Sequence, residues 1–354
     1  MKETMHVRKG EEININNLKD FLNDNIHHFE KQIPLSVKQF SGGYSNLTYL
    51  VTSGDNEMVL RRPPVGANIK SAHDMEREYR ILKSLRPMFP YCPEVLVYCD
   101  DPSVIGTCFY VMKRISGIIL RKELPNNLKF SPEETRKLCE KLLDVHVELH
   151  DIHVKAVGLD FIGKPVGYVG RQVDGWISRY QKARTDDAPD FKNVMHWLKD
   201  KQPNDTDSPC IIHNDFKFDN VVLNPKNPVS IIGVLDWEMA TYGDPLMDLG
   251  NSLAYWVEKT DPPDFQSIRV MPTTIEGALT RNELVDRYGK KTGRDMYYFD
   301  YYLCFGLFRL AVIAQQIYKR FVQGLTKDKR FGKLIFAVHI LEKAAMQLIE
   351  NTKI

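Results

Sequence analysis

One short segment, residues 210–220, contains the residue types that phosphoryl transfer requires. It reads Cys-Ile-Ile-His-Asn-Asp-Phe-Lys-Phe-Asp-Asn, and Asp236 follows sixteen residues later at the end of a second apolar stretch. In this chemistry one carboxylate orients an acceptor hydroxyl and accepts its proton, while an amide oxygen and a second carboxylate ligate the Mg²⁺ that bridges the ATP phosphates. We therefore expect Asp215 to act on the hydroxyl, and Asn220 and Asp236 to bind the metal.

The spacing within this segment is that of the kinase catalytic loop, His-Arg-Asp-Leu-x-x-x-Asn, with Asn214 in the position of the arginine. Three features precede it in the order that a kinase requires. A Gly-Gly turn at 42–43 lies between two predicted strands, Arg61 lies on the next strand, and Glu78 follows 17 residues later on a predicted helix. Backbone N–H groups of such a turn can approach phosphates, and Glu78 could hold the cation of Arg61. A polar loop whose carboxylates only cap turns would leave this order unexplained.

The N-terminal part of the chain is predicted to be rich in β-strands. Strand-forming residues flank the glycine turn over residues 40–52, and a second turn at 53–56 leads into a strand at 58–61. Apolar residues at helical spacing predict a helix over roughly 72–85, and the apolar run 104–112 predicts another strand. These elements would place the Gly-Gly turn, Arg61 and Glu78 on one small lobe.

The rest of the chain is predicted to be mainly helical. A capping box at Ser131 opens one helix, and a second capping box at Thr280 opens another. Two long helical patterns close the chain, at about 297–323 and 330–350. Two short apolar strands interrupt the helices, at 221–223 and 231–235.

Composition places the chain among ordinary globular proteins and excludes several classes. Of its 354 residues, 43% are hydrophobic and 27% are charged, which excludes a disordered, collagen-like or disulfide-scaffold protein. The formal net charge of +2 shows no basic surplus, so we expect no nucleic-acid partner. The six cysteines form no Cys-x-x-Cys pair, which favours a reducing compartment. No apolar run follows the charged N-terminus, and polar residues interrupt the most apolar stretch, 301–318, so we expect a cytoplasmic protein without a membrane anchor.

Eight segments carry a family resemblance; they cover residues 40–49, 59–64, 77–82, 109–114, 167–176, 213–220, 235–238 and 243–250. Through them the chain resembles the aminoglycoside phosphotransferase family of small-molecule kinases over roughly residues 30–345. The likeness is closest to the branch whose kinase-like domains are fused to acyl-CoA dehydrogenases in some organisms. It implies a bilobal, protein-kinase-like α+β fold. The small antiparallel-sheet lobe that binds nucleotide would span residues 1–114, and the larger, mainly helical lobe for catalysis and acceptor binding would span 115–354.

The resemblance also implies which residues bind ATP. Ser45 and Asn46 match the loop residues over the β- and γ-phosphates. Arg61 matches the cation that binds the phosphates, and Glu78 matches its partner. Residues 112–115 match the hinge, where backbone atoms hydrogen-bond adenine. The hinge residues that we expect to contribute are Met112, Lys113 and Ile115.

The catalytic assignments implied by the resemblance agree with those made from the chemistry alone. Asp215 matches the catalytic aspartate, and Asn220 and Asp236 match the metal ligands. Lys217 lies two residues after Asp215, from where a cation could stabilise the transferring phosphoryl group. The implied cofactors are ATP and Mg²⁺, and the implied partner is a small molecule with a hydroxyl group.

Arg61 is a departure from the wider family, which usually carries lysine at this point. The guanidinium of arginine is permanently charged and can donate hydrogen bonds to two oxygens at once, whereas the ammonium of lysine is a compact point charge. This leaves open an alternative, a catalytically weak or inactive nucleotide-binding module. The presence of Asp215, Asn220 and Asp236 together favours an active phosphotransferase. A protein kinase is less favoured, because Asp236 is not followed by Phe-Gly and no Ala-Pro-Glu segment comes later.

The charge balance of residues 255–300, part of the expected acceptor lobe, bears on the acceptor. These residues carry eight acidic and seven basic side chains. A site for polycationic antibiotics should be acidic for Coulombic reasons. The balance therefore argues against aminoglycosides and leaves neutral or anionic metabolites, and the branch resemblance adds a hydroxylated acyl thioester as one candidate.

Several other polar residues have both a structural and a functional interpretation. His146 and His150 lie four apart on a predicted helix, but the pattern His-Glu-x-x-His is absent, so buried or helix-end histidines are favoured over zinc ligands. Asp244 and Asp248 are expected to brace the catalytic loop rather than to bind a metal. Two further residues keep both interpretations open, namely Glu238 and Trp176.

Overall fold

The computed structural model describes residues 3–27, 29–40, 46–64, 74–326 and 328–354. The chain divides into two compact units. The first consists of Met1–Ser116 together with Ile232–Glu238, and the second consists of Gly117–Ile231 together with Met239–Ile354. None of the helices in the described ranges combines the length and the apolar character needed to cross a bilayer.

An antiparallel sheet of six strands forms the frame of the first unit. The strands are β1 (Thr4–Met5), β2 (Leu35–Phe40), β3 (Leu47–Ser53), β4 (Asn56–Arg62), β5 (Val95–Cys99) and β6 (Phe109–Lys113). Their spatial order is β1-β2-β3-β4-β6-β5, and every pair is antiparallel. The strand β4 is therefore central, and it is buried without interruption from Met58 to Arg62. A charged side chain on β4, such as Arg61, must find its partners inside the protein.

In the described part of this unit, three helices accompany the sheet: α1 (Ile15–Asn25), α2 (Met75–Leu85) and α3 (Pro102–Ile105). The side chain of Asp74 caps α2 by accepting a hydrogen bond from the backbone N–H of Arg77 at 2.9 Å. One face of α2 is buried, and Glu78 lies on this face beside Ile81 and Leu82. The position of Glu78 in the interior follows from the 3.6-residue period of the helix.

The strand predicted over residues 104–112 is wrong at its N-terminal end. Val104 and Ile105 belong to α3, and the strand β6 begins at Phe109. The side chain of Asp101 accepts a hydrogen bond from the backbone N–H of Ser103, and Pro102 occupies the first helical position. This cap stabilises a short helical turn and outweighs the strand preference of two β-branched residues.

The second unit is mainly helical, as predicted. Its helices are α4 (Pro132–His150), α5 (Tyr168–Ala183), α6 (Lys192–Asp200), α7 (Pro245–Ala254), α8 (Pro263–Ser267), α9 (Arg281–Thr292), α10 (Phe299–Val322) and α11 (Leu334–Asn351). Its strands form two two-stranded sheets, in which β7 (Cys210–Ile212) pairs with β10 (Thr241–Gly243) and β8 (Val221–Asn224) pairs with β9 (Asn227–Val234). Both predicted capping boxes are confirmed, at Ser131 for α4 and at Thr280 for α9.

Two glycines allow α7 to pack closely against α10. A Cβ atom on Gly250 of α7 would overlap the backbone carbonyl of Tyr302 on α10, and one on Gly306 of α10 would overlap the carbonyl of Gly250. The two helix backbones therefore touch, and their mutual position is narrowly defined. This matters for the site because α7 carries Asp248.

Candidate active site

The loop that follows β7 carries the predicted catalytic residues and begins with a backbone outlier. Asn214 has a φ of 65°, in the left-handed region that few non-glycine residues adopt. Its side chain donates to the carbonyl of Met239 at 3.0 Å and accepts from the amide of Asn251 at 3.2 Å, while its own carbonyl accepts from Arg309 at 2.9 Å. Contacts from three separate segments thus hold the strained conformation in place.

The two carboxylate oxygens of Asp215 have different surroundings. Oδ2 accepts hydrogen bonds from Lys217 Nζ at 2.5 Å and from Asn220 Nδ2 at 2.7 Å. Oδ1 accepts no hydrogen bond from any described residue, and the side chain of Asp215 is 20% exposed. One oxygen is therefore positioned by the protein, and the other is available to a ligand.

Lys217 is held in a partly enclosed position beside Asp215. Its ammonium lies 4.9 Å from the centre of the Tyr255 ring and 3.6 Å from Oδ1 of Asp219. Burial lowers the pKa of Lys217, but Tyr255 and the two carboxylates raise it by more, so the pKa of the ammonium lies above its usual value. Lys217 is consequently a fixed positive charge next to the carboxylate of Asp215.

Asp248 on α7 holds the backbone of this loop through hydrogen bonds, as the sequence interpretation expects. Its Oδ2 accepts from the backbone N–H of His213 at 2.7 Å, and its Oδ1 accepts from the backbone N–H of Asn214 at 2.7 Å. Oδ2 also lies 3.0 Å from Nε2 of His146 and 3.2 Å from Nε2 of His150. Although burial opposes ionisation, the two histidines lower the pKa of Asp248 well below its usual value.

His146, His150 and Asp248 are close enough to hold a metal ion, since their ligand atoms lie within 4.8 Å of one another. Both oxygens of Asp248 and both ring nitrogens of His150 nevertheless have hydrogen-bond partners without an ion. The hydroxyl of Tyr288 lies 2.8 Å from Nδ1 of His150, and burial lowers the pKa of His150 to about 4. A neutral His150 accepts from Tyr288 at one nitrogen and donates to Asp248 at the other. Both histidines are buried, as the sequence interpretation expects.

The first unit gathers a second group of predicted residues around Arg61. The guanidinium Nη1 lies 3.4 Å from Oε1 of Glu78 and 3.2 Å from Oδ1 of Asp236. Nη2 lies 3.3 Å from the same oxygen of Asp236 and 3.2 Å from Oε2 of Glu238. Three carboxylates thus share one cation, and their charge holds the pKa of Arg61 above its usual value despite burial.

Glu78 is the buried member of this group, with a side chain that is 3% exposed. It accepts a hydrogen bond from the hydroxyl of Tyr110 on β6 at 2.8 Å. Burial raises the pKa of Glu78, and the attraction of Arg61 opposes that rise. Tyr110 was not predicted as part of the site, although its position opposite Arg61 in the sheet register brings it there.

Asp236 also has an unusual backbone conformation, with a φ of 65°. The neighbouring Trp237 is 1% exposed and donates its indole N–H to the carbonyl of Val234 at 2.8 Å. The buried tryptophan anchors a sharp turn after β9, and the side chain of Asp236 remains 39% exposed. Its Oδ2 accepts no hydrogen bond from any described residue, and the same holds for Oδ1 of Asn220. Both are hard oxygen donors of the kind that Mg²⁺ prefers.

The remaining nucleotide-binding predictions fall in three places. Asn46 is buried and donates to Oε2 of Glu238 at 2.9 Å, whereas Ser45 and the Gly-Gly turn lie outside the described residues. At the hinge, Met112 is buried, and the backbone N–H of Lys113 already donates to the carbonyl of Glu94 at 2.8 Å. The N–H of Ile115, which lies outside the strands, donates to no backbone carbonyl among the described residues.

The structure brings the predicted residues together as two groups, one in each unit. Asp215, Lys217 and Asn220 form one group; Asn46, Arg61, Glu78 and Asp236 form the other. Sequence reasoning left the role of Glu238 undefined, and the structure places it on Arg61 and Asn46. Trp176, also left open, is 7% exposed and lies between the guanidinium groups of Arg179 and Arg309, so it packs the helical unit.

The fold and the loop define the class of protein. A small antiparallel sheet with one packed helix carrying Glu78, followed by a mainly helical unit with a His-x-Asp loop, is the bilobal α+β fold of kinases, as predicted. A sequence profile described as the phosphotransferase enzyme family matches residues 36–278. The chain belongs to this family.

The named relatives belong to the branch that the sequence resemblance indicates, the acyl-CoA dehydrogenase family members. Acyl-CoA dehydrogenase family member 11 of Rattus norvegicus is 32% identical over 357 residues, which cover 99% of this chain and 45% of the relative. Acyl-CoA dehydrogenase family member 10 of Mus musculus is 34% identical over 306 residues, which cover 85% of this chain and 28% of the relative. The chain therefore spans less than half the length of these relatives.

Solved structures show the same fold. A crystal structure from Ralstonia eutropha, assigned to an aminoglycoside phosphotransferase, matches with a TM-score of 0.82 and 29% identity over 97% of this chain and 100% of the other. Choline kinase of Cryptosporidium parvum matches with a TM-score of 0.61 over 95% of each chain. At 12% identity the second similarity shows the fold alone.

Proposed function

We infer that the chain is an ATP- and Mg²⁺-dependent phosphotransferase that moves the γ-phosphate to a hydroxyl group of a small molecule. Membership of the phosphotransferase family supports phosphoryl transfer in general. The observation that carries the inference is the carboxylate of Asp215, in which Lys217 and Asn220 hold Oδ2 while Oδ1 has no partner among the described residues. Such a carboxylate is suited to align an acceptor hydroxyl and to receive its proton.

The other residues have roles that follow from their charge and position. Lys217 supplies a fixed positive charge for the phosphoryl group as negative charge develops on it. Asn220 and Asp236, which belong to different units, are each assigned as a metal ligand from their own free oxygen. A Mg²⁺ ion held by these two residues would supply positive charge that neutralises the phosphates of the nucleotide.

Nucleotide binding is assigned to the first unit. Arg61, oriented by Glu78, is the phosphate cation, and Ser45 and Asn46 belong to the phosphate loop. After the buried Met112, adenine would accept a hydrogen bond from the N–H of Ile115 and donate one to the carbonyl of Lys113. The N–H of Ile115 has no backbone acceptor among the described residues, whereas the N–H of Lys113 is occupied.

A hydroxylated acyl thioester is our first candidate for the acceptor. The relatives are named acyl-CoA dehydrogenases, so an acyl thioester is the compound class that their names connect with this branch. The balance of eight acidic and seven basic side chains over residues 255–300 suits such an acceptor better than a polycationic antibiotic.

Release of ADP from Mg²⁺·ATP tests the proposal, with a panel of hydroxyl compounds that includes hydroxyacyl-CoA esters and aminoglycosides. In the presence of the right acceptor, Asp215→Asn should lower kcat by about 10²- to 10⁴-fold, the usual contribution of a positioned base. The thermal stability should change little, because an amide can occupy the same space. Asp286→Asn, a change on an exposed face of α9, is the matched control and should leave kcat unchanged. Undiminished transfer in Asp215→Asn would refute the assignment.

The second candidate function is that of a nucleotide-binding module without catalysis. The ion pair between Arg61 and Asp236 is the observation that favours it. A guanidinium that stays on this carboxylate would prevent metal binding there. Thermal stabilisation by ATP that is independent of Mg²⁺, together with no ADP release for any acceptor, would support this second function over the first.

A further inference from the structure

Among the described residues, three carboxylates contact the guanidinium of Arg61. Asp236 and Glu238 both lie within 3.2 Å of the guanidinium, and Glu78 lies at 3.4 Å. Asp236 and Glu238 are the more exposed pair, at 39% and 19% of their side chains. Both of these carboxylates therefore share the positive charge of Arg61.

The guanidinium holds the carboxylate of Asp236 through Oδ1, next to the Oδ2 oxygen that a metal could use. Both terminal nitrogens of Arg61 contact Oδ1 of Asp236, at 3.2 and 3.3 Å, and one of them also contacts Glu238. A divalent cation bound to Asp236 would stand a few ångströms from this positive charge and be repelled by it. Arg61 and a metal ion therefore compete for the same carboxylates.

Arg61 is also incompletely satisfied in its present position. Its Nε is buried and has no hydrogen-bond partner in the described part of the chain, and Oε2 of Glu78 is in the same state. Unpaired buried donors and acceptors cost free energy. An anionic ligand that offers two oxygens, such as a phosphate group, is the partner that a guanidinium fork matches best.

We propose that Arg61 is a gate for the metal: it neutralises Asp236 and Glu238 in the nucleotide-free protein and releases them when phosphate oxygens bind its guanidinium. Free divalent cations then bind poorly without nucleotide, and nucleotide and metal strengthen each other's binding through Arg61. A permanently charged arginine performs this task better than lysine, because two terminal nitrogens can engage two carboxylates at once. The gate rests on the proposed function, because that function supplies the phosphates.

The test measures binding of free Mn²⁺, an oxygen-preferring substitute for Mg²⁺, to the nucleotide-free protein by electron paramagnetic resonance. Arg61→Met should tighten Mn²⁺ binding by about tenfold or more, a coupling of ordinary size for linked sites. The double variant Arg61→Met, Asp236→Asn should lose that gain. Arg61→Lys, which keeps a cation but only a single ammonium group, should show a smaller gain in the same direction.

A matched control comes from the same unit. Arg114 also bridges two carboxylates, Glu57 at 2.8 Å and Glu3 at 2.7 Å. Arg114→Met removes one guanidinium from between two acids without touching Asp236, and it should leave Mn²⁺ binding unchanged. An equal gain in Arg114→Met, or a gain that survives loss of Asp236, would overturn the proposal.

A second measurement separates a gate from a merely structural arginine. Binding of ADP in the presence of EDTA should weaken by about tenfold in Arg61→Met, since the phosphate cation is gone. The same substitution must therefore move metal affinity and nucleotide affinity in opposite directions, which general destabilisation does not do. No change in Mn²⁺ affinity in both Arg61→Met and Arg61→Lys would sink the proposal. If no acceptor caused release of ADP, that result would instead contradict the proposed function. The measured affinities for Mn²⁺ and for ADP would not be affected by that result.

Discussion

Replacing Asp248 with asparagine tests how the catalytic loop is held. The native carboxylate accepts hydrogen bonds from the backbone N–H groups of His213 and Asn214. It also lies within hydrogen-bond distance of the Nε2 atoms of His146 and His150. An asparagine side chain offers one acceptor oxygen, and its amide nitrogen is a donor. Whichever way the amide is turned, one of the two backbone N–H groups faces another donor.

The magnitude follows from burial, because Asp248 is 0% exposed and solvent cannot replace the lost partners. A buried backbone N–H without an acceptor costs about 1 to 3 kcal/mol. Loss of the charge on the remaining bonds brings the total to about 3 to 5 kcal/mol, the range for breaking a buried charged pair. For a unit of this size each kcal/mol corresponds to about 2 to 4 °C, so Tm should fall by about 6 to 20 °C.

Differential scanning calorimetry and amide hydrogen exchange measure the two consequences. Exchange should accelerate at the N–H groups of His213 and Asn214 before the rest of the unit. The pKa of Asp248 is lowered by folding, so its contribution to stability is present above the unfolded-state value of about 4 and is lost as the pH falls through the depressed folded-state pKa. The difference in stability between wild type and Asp248→Asn should therefore shrink in strong acid.

The control is Asp264→Asn, a change at an exposed carboxylate that pairs with Lys343 on the surface. It should alter Tm by less than about 2 °C, because exposed ion pairs contribute little. If Asp248→Asn melted within 2 °C of wild type, or left exchange at His213 and Asn214 unchanged, the bracing role would be refuted.

Three further substitutions and one control, Gly175→Ala, test contacts within the second unit by thermal unfolding. Gly306→Ala should destabilise the second unit by about 1 to 3 kcal/mol, because the new Cβ would overlap the backbone of α7. Gly175→Ala on α5 is the control, because this position has room for a Cβ. It should be neutral or stabilising by up to about 1 kcal/mol. A stable Gly306→Ala protein would contradict the close approach of α7 and α10. Ser131→Ala should cost about 1 kcal/mol through loss of the cap of α4, and no change in Tm would contradict the capping box. Tyr288→Phe should cost about 1 kcal/mol, because Nδ1 of His150 loses its donor; a Tm equal to that of wild type would show that this hydrogen bond adds nothing.

Local patterns predicted the parts of the protein that depend on local geometry. The spacing from Asp215 to Asn220 brought the two side chains together because five residues of loop can fold back on themselves. The capping boxes at Ser131 and Thr280 were correct because each closes within one helical turn. The strand predicted from residue 104 failed because a competing cap formed from residues immediately before it.

Hydrogen-bond and ion-pair partners that lie far apart in the chain could not be predicted from local sequence patterns. Tyr110 reaches Glu78 only because β4 and β6 pair in one particular register, which a linear pattern does not specify. Glu238 was visible beside Asp236, but nothing in its neighbours indicated that Arg61 would bridge both. The histidines of α4 carried a spacing that resembled a metal motif, and only their burial against Asp248 and Tyr288 identified them as a brace.

By itself the sequence determined the class of fold and predicted a chemistry for the loop, because both inferences depend on short spacings and on the order of elements along the chain. The tertiary structure decided which charges neutralise each other. Arg61 contacts carboxylates 17, 175 and 177 residues away. Such pairings arise when a buried charge accepts the partners that packing brings within reach, and packing is a property of the whole fold.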